Sequence, residues 1–324
     1  MKDVLLLLFT GLLSLGLGTP CVQAQPLLSF RHIDSRQGLS QNSVSAIAQD
    51  GDGFMWFGTR RGLNRYDGYR MRSYEQASEI LDGTSHQEVR SLYYDAAIDR
   101  LWVCTNGGLS QYRPEQDDFQ PFALPPVADK GQGPPAPRCV LRDAQAHLWV
   151  GSSDGLLRFD PASEQFLPCA RPARHLAANE AFSVHALYED DEGLIWVGSS
   201  QGVFAMQADA PGQPQYRPRP QDEAVQAMFR ADIRFITQDG EGRYWLGAYK
   251  RGIFSWQPGE APVAHRHAPY DPFSLSDDDV RALAVDRQGQ LWVGTFLGLN
   301  LYDAATGYFH RYAQEIGNPR SLGS

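Results

Sequence analysis

The stretch Phe54-Met55-Trp56-Phe57-Gly58-Thr59-Arg60-Arg61-Gly62-Leu63 sets the pattern of the whole chain, because five further copies of it follow. The copies are centred on six tryptophans spaced 46, 47, 47, 49 and 47 residues apart: Trp56, Trp102, Trp149, Trp196, Trp245 and Trp292. A fixed period of this size predicts a repeat architecture.

Each copy reads as four short strands. A short apolar run that ends in Asp, such as Val44 to Asp50, precedes each Trp, and in four copies a Gly follows that Asp after three residues. This spacing predicts a type I turn between strand a and the Trp-containing strand b. A Gly-containing turn then leads to strand c, and strand d follows, for example at Tyr69 to Tyr74, Phe119 to Phe122 and Tyr308 to Tyr312.

Four antiparallel strands in 40 to 50 residues predict an all-β fold, a β-propeller. The six blades are expected at about 44–76, 89–122, 137–168, 183–219, 232–267 and 279–312. Each Trp is predicted to pack between neighbouring blades, where its burial contributes at most about 4–6 kcal/mol.

The two ends of the propeller region match a seventh repeat. Asn318 to Leu322 resembles Asp271 to Leu275 one period earlier, and Phe30-Arg31-His32 resembles the strand d residues Phe309-His310-Arg311. We therefore expect residues 25–324 to form an incomplete seven-bladed ring, cut at the start of the seventh repeat.

Residues 1–24 have the features of a secretory signal peptide. Lys2 is followed by the apolar run Val4 to Gly18 and by small residues around Ala24 that suit cleavage. The run is too short for a transmembrane helix. A lipid anchor on Cys21 is disfavoured by Pro20. The sequence thus predicts export.

Charge and cysteine content narrow the function classes. The chain has 38 acidic and 29 basic residues, which gives a formal net charge of −9. This charge does not favour binding to nucleic acid or to an anionic membrane. Cys104, Cys139 and Cys169 have no regular spacing, and buried free thiols are the preferred interpretation. A bridge between Cys139 and Cys169 is the alternative in an oxidising compartment.

The first repeat carries a specific resemblance. The run Gly38-Leu-Ser-Gln-Asn-Ser-Val44, the turn Asp50-Gly-Asp-Gly53, Trp56-Phe-Gly-Thr59 and Gly62-Leu-Asn-Arg-Tyr-Asp67 are similar to the two-component regulator propeller repeat. WD and kelch propellers fit less well, because the Trp-Asp dipeptide and the double-Gly signature are lacking.

This resemblance implies a periplasmic sensor. The family builds the extracytoplasmic part of hybrid histidine kinases and of related signalling proteins with a diguanylate cyclase output, and oligosaccharides are among its ligands. The expected roles are ligand sensing in a phosphorelay, self-association in the full-length sensor, and membrane attachment only through a C-terminal span that this chain lacks.

The b-to-c turns and the d-to-a loops share one face of a propeller, and they supply the first candidate ligand site. Aromatic, amide and charged side chains there suit a sugar, a carboxylated ligand or another polar ligand. The candidates are Arg61, Asn106, Asp154, Tyr249, Lys250, Arg251 and Phe296.

A second candidate site lies at the second position of strand a, which lines the axis. Five of its six occupants can carry positive charge: Arg90, Arg138, His185, Arg234 and Arg281. They could bind an anionic ligand at the channel mouth. The alternative is that each Arg pairs with an acidic neighbour in the adjoining loop, such as Asp232 or Asp278.

Catalytic residues are not indicated. The histidines are scattered, and nucleophile motifs, metal-ligand spacings and phosphate loops are lacking. Asp50-Gly51-Asp52 resembles the opening of a calcium loop without its closing Glu, so a plain turn is favoured. We predict a non-enzymatic chain without metal or cofactor. The alternatives are a secreted propeller enzyme, a lyase or hydrolase acting on polysaccharide or glycan, and an interaction scaffold.

Overall fold

A computed structural model describes residues 28–74, 88–126, 134–172, 182–208, 214–216, 228 and 230–323. They form six four-stranded antiparallel sheets, arranged as blades in a ring. The predicted propeller and its six blades are confirmed. The predicted signal peptide lies outside the described residues.

Within each blade the strands pair in chain order, so that strand a borders the axis and strand d lies at the rim. Blades 1 to 3 comprise β1 (Val44–Gln49), β2 (Met55–Thr59), β3 (Gly62–Tyr66), β4 (Met71–Ser73); β5 (Val89–Asp95), β6 (Arg100–Thr105), β7 (Gly108–Arg113), β8 (Asp118–Phe122); β9 (Pro137–Arg142), β10 (Leu148–Ser152), β11 (Gly155–Asp160), β12 (Gln165–Pro168). Blades 4 to 6 comprise β13 (Val184–Glu189), β14 (Ile195–Ser199), β15 (Gly202–Ala208), β16 (Pro214–Tyr216); β17 (Ile233–Gln238), β18 (Tyr244–Ala248), β19 (Ile253–Trp256), β20 (Val263–His265); β21 (Val280–Val285), β22 (Leu291–Thr295), β23 (Gly298–Asp303), β24 (Tyr308–Tyr312).

Strand d of the first blade is shorter than the sequence pattern predicts. β4 begins at Met71, whereas Tyr69 is 94% exposed and belongs to a turn. The Asp67 carboxylate accepts the backbone N–H groups of Tyr69 and Arg70 and closes this turn, which delays the strand. A 3₁₀ helix, Ser35–Gln37, precedes the first blade.

The aspartate after strand a holds the tryptophan of strand b. In blade 3 the Asp143 carboxylate accepts the indole N–H of Trp149 at 2.9 Å and the backbone N–H of His147 at 2.7 Å. The same indole bond, 2.7 to 2.9 Å long, joins Asp50 to Trp56, Asp190 to Trp196, Asp239 to Trp245 and Asp286 to Trp292. The recurring Asp therefore satisfies a polar group of the core as well as forming a turn.

Blade 2 departs from this arrangement, because its turn is one residue longer. Asp95 precedes Trp102 by seven residues, and the buried Trp102 indole N–H has no hydrogen-bond partner among the described residues. Asp95 instead accepts the Nε–H of Arg142 in the next blade at 2.6 Å. In blade 2 the buried carboxylate therefore forms an ion pair with the next blade instead of a bond to the indole.

In the described part of the chain, five apolar cores lie between consecutive blades, and each contains the tryptophan of the earlier blade. These tryptophans are Trp56, Trp102, Trp149, Trp196 and Trp245. They are 0 to 6% exposed, which confirms the predicted packing between blades. Trp292 of blade 6 belongs to none of the five cores and is only half-buried.

The segment before the first blade lies against the end of the chain. The Phe30 backbone N–H donates to the carbonyl of Arg320 at 2.9 Å, as that of Phe309 in β24 donates to Phe273 at 2.8 Å. Arg320 follows Phe273 by 47 residues, one repeat period. Phe30 thus occupies the place of a strand d residue, as its sequence suggests, while the seventh repeat itself stays a prediction.

All three cysteines of the described residues are free thiols. Burial raises the pKa of Cys139 and of Cys169 to about 12, so both thiols are protonated and unreactive at neutral pH. The preferred interpretation of the cysteines is confirmed. Over the described part of the chain, no helix has the length and apolar character needed to cross a bilayer.

Candidate ligand site at the channel mouth

A β-bulge recurs at the start of strand a in all six blades. In blade 2, Val89 pairs with Thr105 and Ser91 pairs with Cys104, so Arg90 is left without a partner on β6. The equivalent unmatched residues are Ser45, Arg138, His185, Arg234 and Arg281. A bulge re-aims the side chain of its extra residue. In every blade the residue at the second position of strand a therefore lies in a bulge, outside the regular strand pairing.

The six bulge residues meet at one central channel. It has a volume of about 530 Å³ and is lined by strand a of every blade. All five basic residues predicted at the channel mouth line it, as does Ser45 of the first blade. The structure thus brings together side chains that lie up to five repeats apart in sequence.

Three of the four arginines pair with an acid two residues upstream. Arg90 lies 3.7 Å from Glu88, Arg234 lies 3.3 Å from Asp232, and Arg281 lies 2.7 Å from Asp279, measured between guanidinium nitrogen and carboxylate oxygen. For these three arginines, the structure shows the alternative in which each one pairs with an acidic neighbour. The partner of Arg281 is Asp279, whereas the Asp278 carboxylate accepts the backbone N–H of His267.

His185 is the neutral member of the group. Its ring Nε2 lies 3.4 Å from Asp232. Burial, followed by the nearby charges of Arg138 and Arg234, lowers the pKa of His185 to about 4 and outweighs the opposing effect of Asp232. The imidazole is therefore uncharged at neutral pH and offers one hydrogen-bond donor and one acceptor to the channel.

The turns between strands b and c cover the same mouth. The Tyr249 backbone N–H donates to the Asp232 carbonyl at 2.9 Å, and the Phe296 backbone N–H donates to the Asp279 carbonyl at 3.0 Å. The guanidinium of Arg234 lies 3.8 Å from the centre of the Tyr249 ring. The two predicted groups of residues, on the turns and on the a strands, therefore form one surface.

Two further turn residues extend this surface. Arg281 lies 5.6 Å from the ring centre of Phe296, which is 69% exposed. Asn106 accepts a hydrogen bond from Arg90 and donates to Glu88 at 3.1 Å. Aromatic and amide groups at successive turns thus hold the channel arginines in place.

The other predicted turn residues lie around this surface. Arg61, Lys250 and Arg251 are exposed, and Lys250 lies 5.3 Å from the Tyr249 ring centre. Asp154 accepts a hydrogen bond from Arg171 at 3.3 Å. The three exposed cations are not among the residues that line the channel, and they face solvent.

Sequence reasoning missed two of the acidic partners, Glu88 and Asp279. The repeat alignment carries the signal that would have found them. The residue two positions before each basic bulge residue is acidic in blades 2, 5 and 6. Reading this position alongside the basic one would have predicted three fixed ion pairs.

A larger cavity lies on the opposite face between blades 5 and 6. Its volume is about 590 Å³, and Asp239, Asp303 and His310 line it. Its carboxylates are already bonded within the protein: Asp239 accepts the Trp245 indole N–H and Asp303 accepts the Thr306 hydroxyl. The channel mouth is the better candidate, because the same repeat position of every blade contributes a side chain to it.

The described residues contain no group of three His, Cys, Asp or Glu side chains arranged to hold a metal ion. At the turn that resembles a calcium loop, the Asp50 carboxylate accepts the backbone N–H of Phe54 and the Trp56 indole N–H. The structure therefore gives this carboxylate a role in packing.

Acidification should destabilise the protein through His185. Its folded pKa of about 4 lies below the ordinary value of about 6.5, so the unfolded chain binds the extra proton between these values. The cost is absent above about pH 6.5 and grows as the pH falls toward 4. Urea unfolding of the His185→Gln variant should show a smaller loss of stability over this window than the wild type. Parallel pH curves would contradict the assignment.

Comparison with known proteins agrees with the architecture. The profile described as the two component regulator propeller matches residues 38–61, 181–201 and 274–296. Three segments of the chain thus match the two-component regulator propeller repeat. Residues 38–61 include the Gly38 to Val44 run and the first Trp, which are the motifs that indicated this repeat. The resemblance inferred from the sequence is confirmed.

Relatives of these repeats occur in signalling proteins. A stretch of 57 residues is 49% identical to Histidine kinase P4 of Formosa agariphila, covering 18% of this chain and 4% of the kinase. The extracellular domain of a hybrid two-component system from B. thetaiotaomicron is similar in structure, with a TM-score of 0.67 and 22% identity over 91% of this chain and 38% of that one. The chain thus spans well under half the length of these two proteins.

The same fold also occurs in an enzyme. Virginiamycin B lyase from Staphylococcus aureus superimposes with a TM-score of 0.62 and 10% identity, covering 85% of this chain and 86% of the lyase. At this identity the likeness shows the propeller fold alone.

Proposed function

We propose that this chain is the ligand-sensing propeller of an extracytoplasmic two-component signalling protein. The observation that carries the proposal is the convergence of six bulge residues, with the aromatic and amide turns above them, on one open channel mouth. The ligand is polar, with oligosaccharides as the first class to test. The phosphorelay output belongs to other domains of the whole protein.

The surface suits recognition of such a ligand. Guanidinium groups supply planar donors, neutral His185 supplies a donor and an acceptor, and the exposed Phe296 ring supplies an apolar contact. The relatives in two-component systems support this function, because their propellers are extracellular domains.

The proposal includes the absence of catalysis in this chain. Three of the four arginines of the mouth are held in ion pairs, an arrangement for binding rather than for proton transfer. The propeller lyase supports the runner-up, a secreted enzyme acting on a glycan. Turnover of the bound glycan distinguishes a secreted enzyme from a ligand-sensing propeller, which binds the glycan unchanged.

The test is calorimetry of the full chain against a panel of neutral and acidic oligosaccharides. Truncating Phe296 or Tyr249 to Ala should weaken binding of a positive ligand by about 1–2 kcal/mol if the ring is a central contact. Asp52→Ala, in an a-to-b turn on the opposite face, is the control and should leave affinity unchanged. Loss of binding in this control alone, or ligand turnover that survives repurification, would refute the proposal.

A further inference from the structure

Arg138 differs from the other channel arginines in its surroundings. Where Arg90, Arg234 and Arg281 have an acid two residues upstream, Arg138 has Ala136. The Ala136 carbonyl accepts the backbone N–H of Ser153, so this position supplies the same backbone contact as in the other blades without a carboxylate. Among the described residues, no salt bridge involves Arg138.

The Arg138 guanidinium is nevertheless partly removed from water. Its Nε is buried and has no hydrogen-bond partner among the described residues. Burial, followed by the charges of Arg90 and Arg234, lowers the pKa of Arg138. The charge of Asp232 opposes this shift but forms no salt bridge with Arg138. A partly buried cation without a directly paired counter-charge is costly. Arg138, where this destabilising arrangement occurs, lines the channel.

Among the bulge residues and the acids two positions before them, one positive charge is in surplus. Four guanidinium groups, those of the bulge arginines, face three carboxylates, and His185 is neutral. The surplus charge belongs to Arg138, because the other three arginines have their own acids. One anionic group on a ligand would complete the pairing.

We infer that the channel mouth binds a ligand through a single carboxylate, with Arg138 as its anchor. Arg–carboxylate pairing is bidentate and strong when partly buried. The cavity of about 530 Å³ leaves room for the rest of the ligand. This inference deepens the proposed function and rests on it only in placing the ligand at the same mouth. It names carboxylates as the ligand class, in the form of a sugar acid or a free organic acid.

Calorimetry of the full chain with D-galacturonate and its neutral match D-galactose tests the inference. D-galacturonate should bind saturably and at least about tenfold more tightly than D-galactose. Arg138→Met should lower that affinity at least about tenfold, while Arg138→Lys keeps part of it because a point charge remains. The control Arg287→Met removes an exposed arginine in an a-to-b turn on the opposite face, outside the channel lining. It should change affinity by less than about threefold.

Thermal unfolding without ligand separates binding from a structural role. Arg138→Met removes an unpaired buried charge and should leave the melting temperature unchanged or raised. A lowered melting temperature with undiminished binding would assign Arg138 to the fold and overturn the inference. If the Met variant fails to fold, the Lys variant carries the same comparison, and undiminished binding there with a lowered melting temperature has the same meaning.

Competition by acetate identifies the source of the carboxylate. Displacement of D-galacturonate by acetate means that a free carboxylate suffices, whereas failure to displace it means that a sugar acid is required, and both support the inference. Absence of saturable D-galacturonate binding overturns it. D-galactose binding that is equal in strength and insensitive to Arg138→Met also overturns it while leaving the sensing function intact.

Discussion

Replacing Trp149 by alanine should lower the free energy of unfolding by about 3–5 kcal/mol, one of the two largest losses that we expect in this chain. The side chain is fully buried between blades 3 and 4, where it packs with Phe182, Val184 and other apolar residues. Its loss leaves a cavity and takes from Asp143 the indole donor at 2.9 Å. Urea unfolding followed by circular dichroism measures the effect.

Trp292→Ala is the matched control, because Trp292 holds the same repeat position and makes the same bond to an aspartate. It is half-buried and lies in none of the five cores between blades. We expect a smaller loss, about 1–2 kcal/mol, since less apolar surface returns to water. Equal losses at the two positions would show that packing against a following blade is not what stabilises these tryptophans.

Replacing Asp190 by alanine should have a comparable effect, about 3–5 kcal/mol, because a buried polar network loses its acceptor. Its carboxylate accepts the Trp196 indole at 2.8 Å and, from the next blade, the Tyr244 hydroxyl at 2.7 Å. Burial by itself raises the pKa of Asp190, but these donors outweigh it and hold the pKa below its ordinary value. The stabilisation is present above the ordinary value of about 3.9 and is lost as the pH falls through the folded value.

Asp286→Ala tests whether the bond between blades matters. Asp286 accepts the Trp292 indole N–H at 2.9 Å and backbone N–H groups of its own turn, and among the described residues no tyrosine hydroxyl donates to it. Urea unfolding at neutral pH should show a smaller loss than for Asp190→Ala. A further comparison is Tyr244→Phe, which removes only the hydroxyl. If Tyr244→Phe leaves the free energy of unfolding unchanged while Asp190→Ala lowers it by the full expected amount, the hydrogen bond between blades does not contribute to stability.

Much of the propeller could be predicted from the spacing of residues. The positions of Trp, of the Asp before it and of the Gly after it define six blades, since a strand pattern with turns at a fixed period allows few other folds. The shorter β4 could not be predicted, because the Asp67 side chain closes a turn where strand propensity favours Tyr69. The longer turn of blade 2 likewise sends Asp95 to Arg142.

The candidate site was predicted in its parts and not in its geometry. Repeat alignment placed Arg90, Arg138 and their equivalents at one position and the turn residues at another. The bulge that unites the two sets is a shift in strand register, and such a shift depends on hydrogen bonds between strands that no single strand encodes.

The sequence by itself determined the repeat, its strand order and the residue types at each blade position, because these follow from local periodicity. Only the tertiary structure decided which charges are paired. Glu88 forms an ion pair with Arg90, and Asp279 forms one with Arg281, whereas Arg138 lines the channel with a buried Nε. Pairing depends on distances of a few ångströms between side chains and on the water they lose, and both are fixed by the closing of blades around the axis.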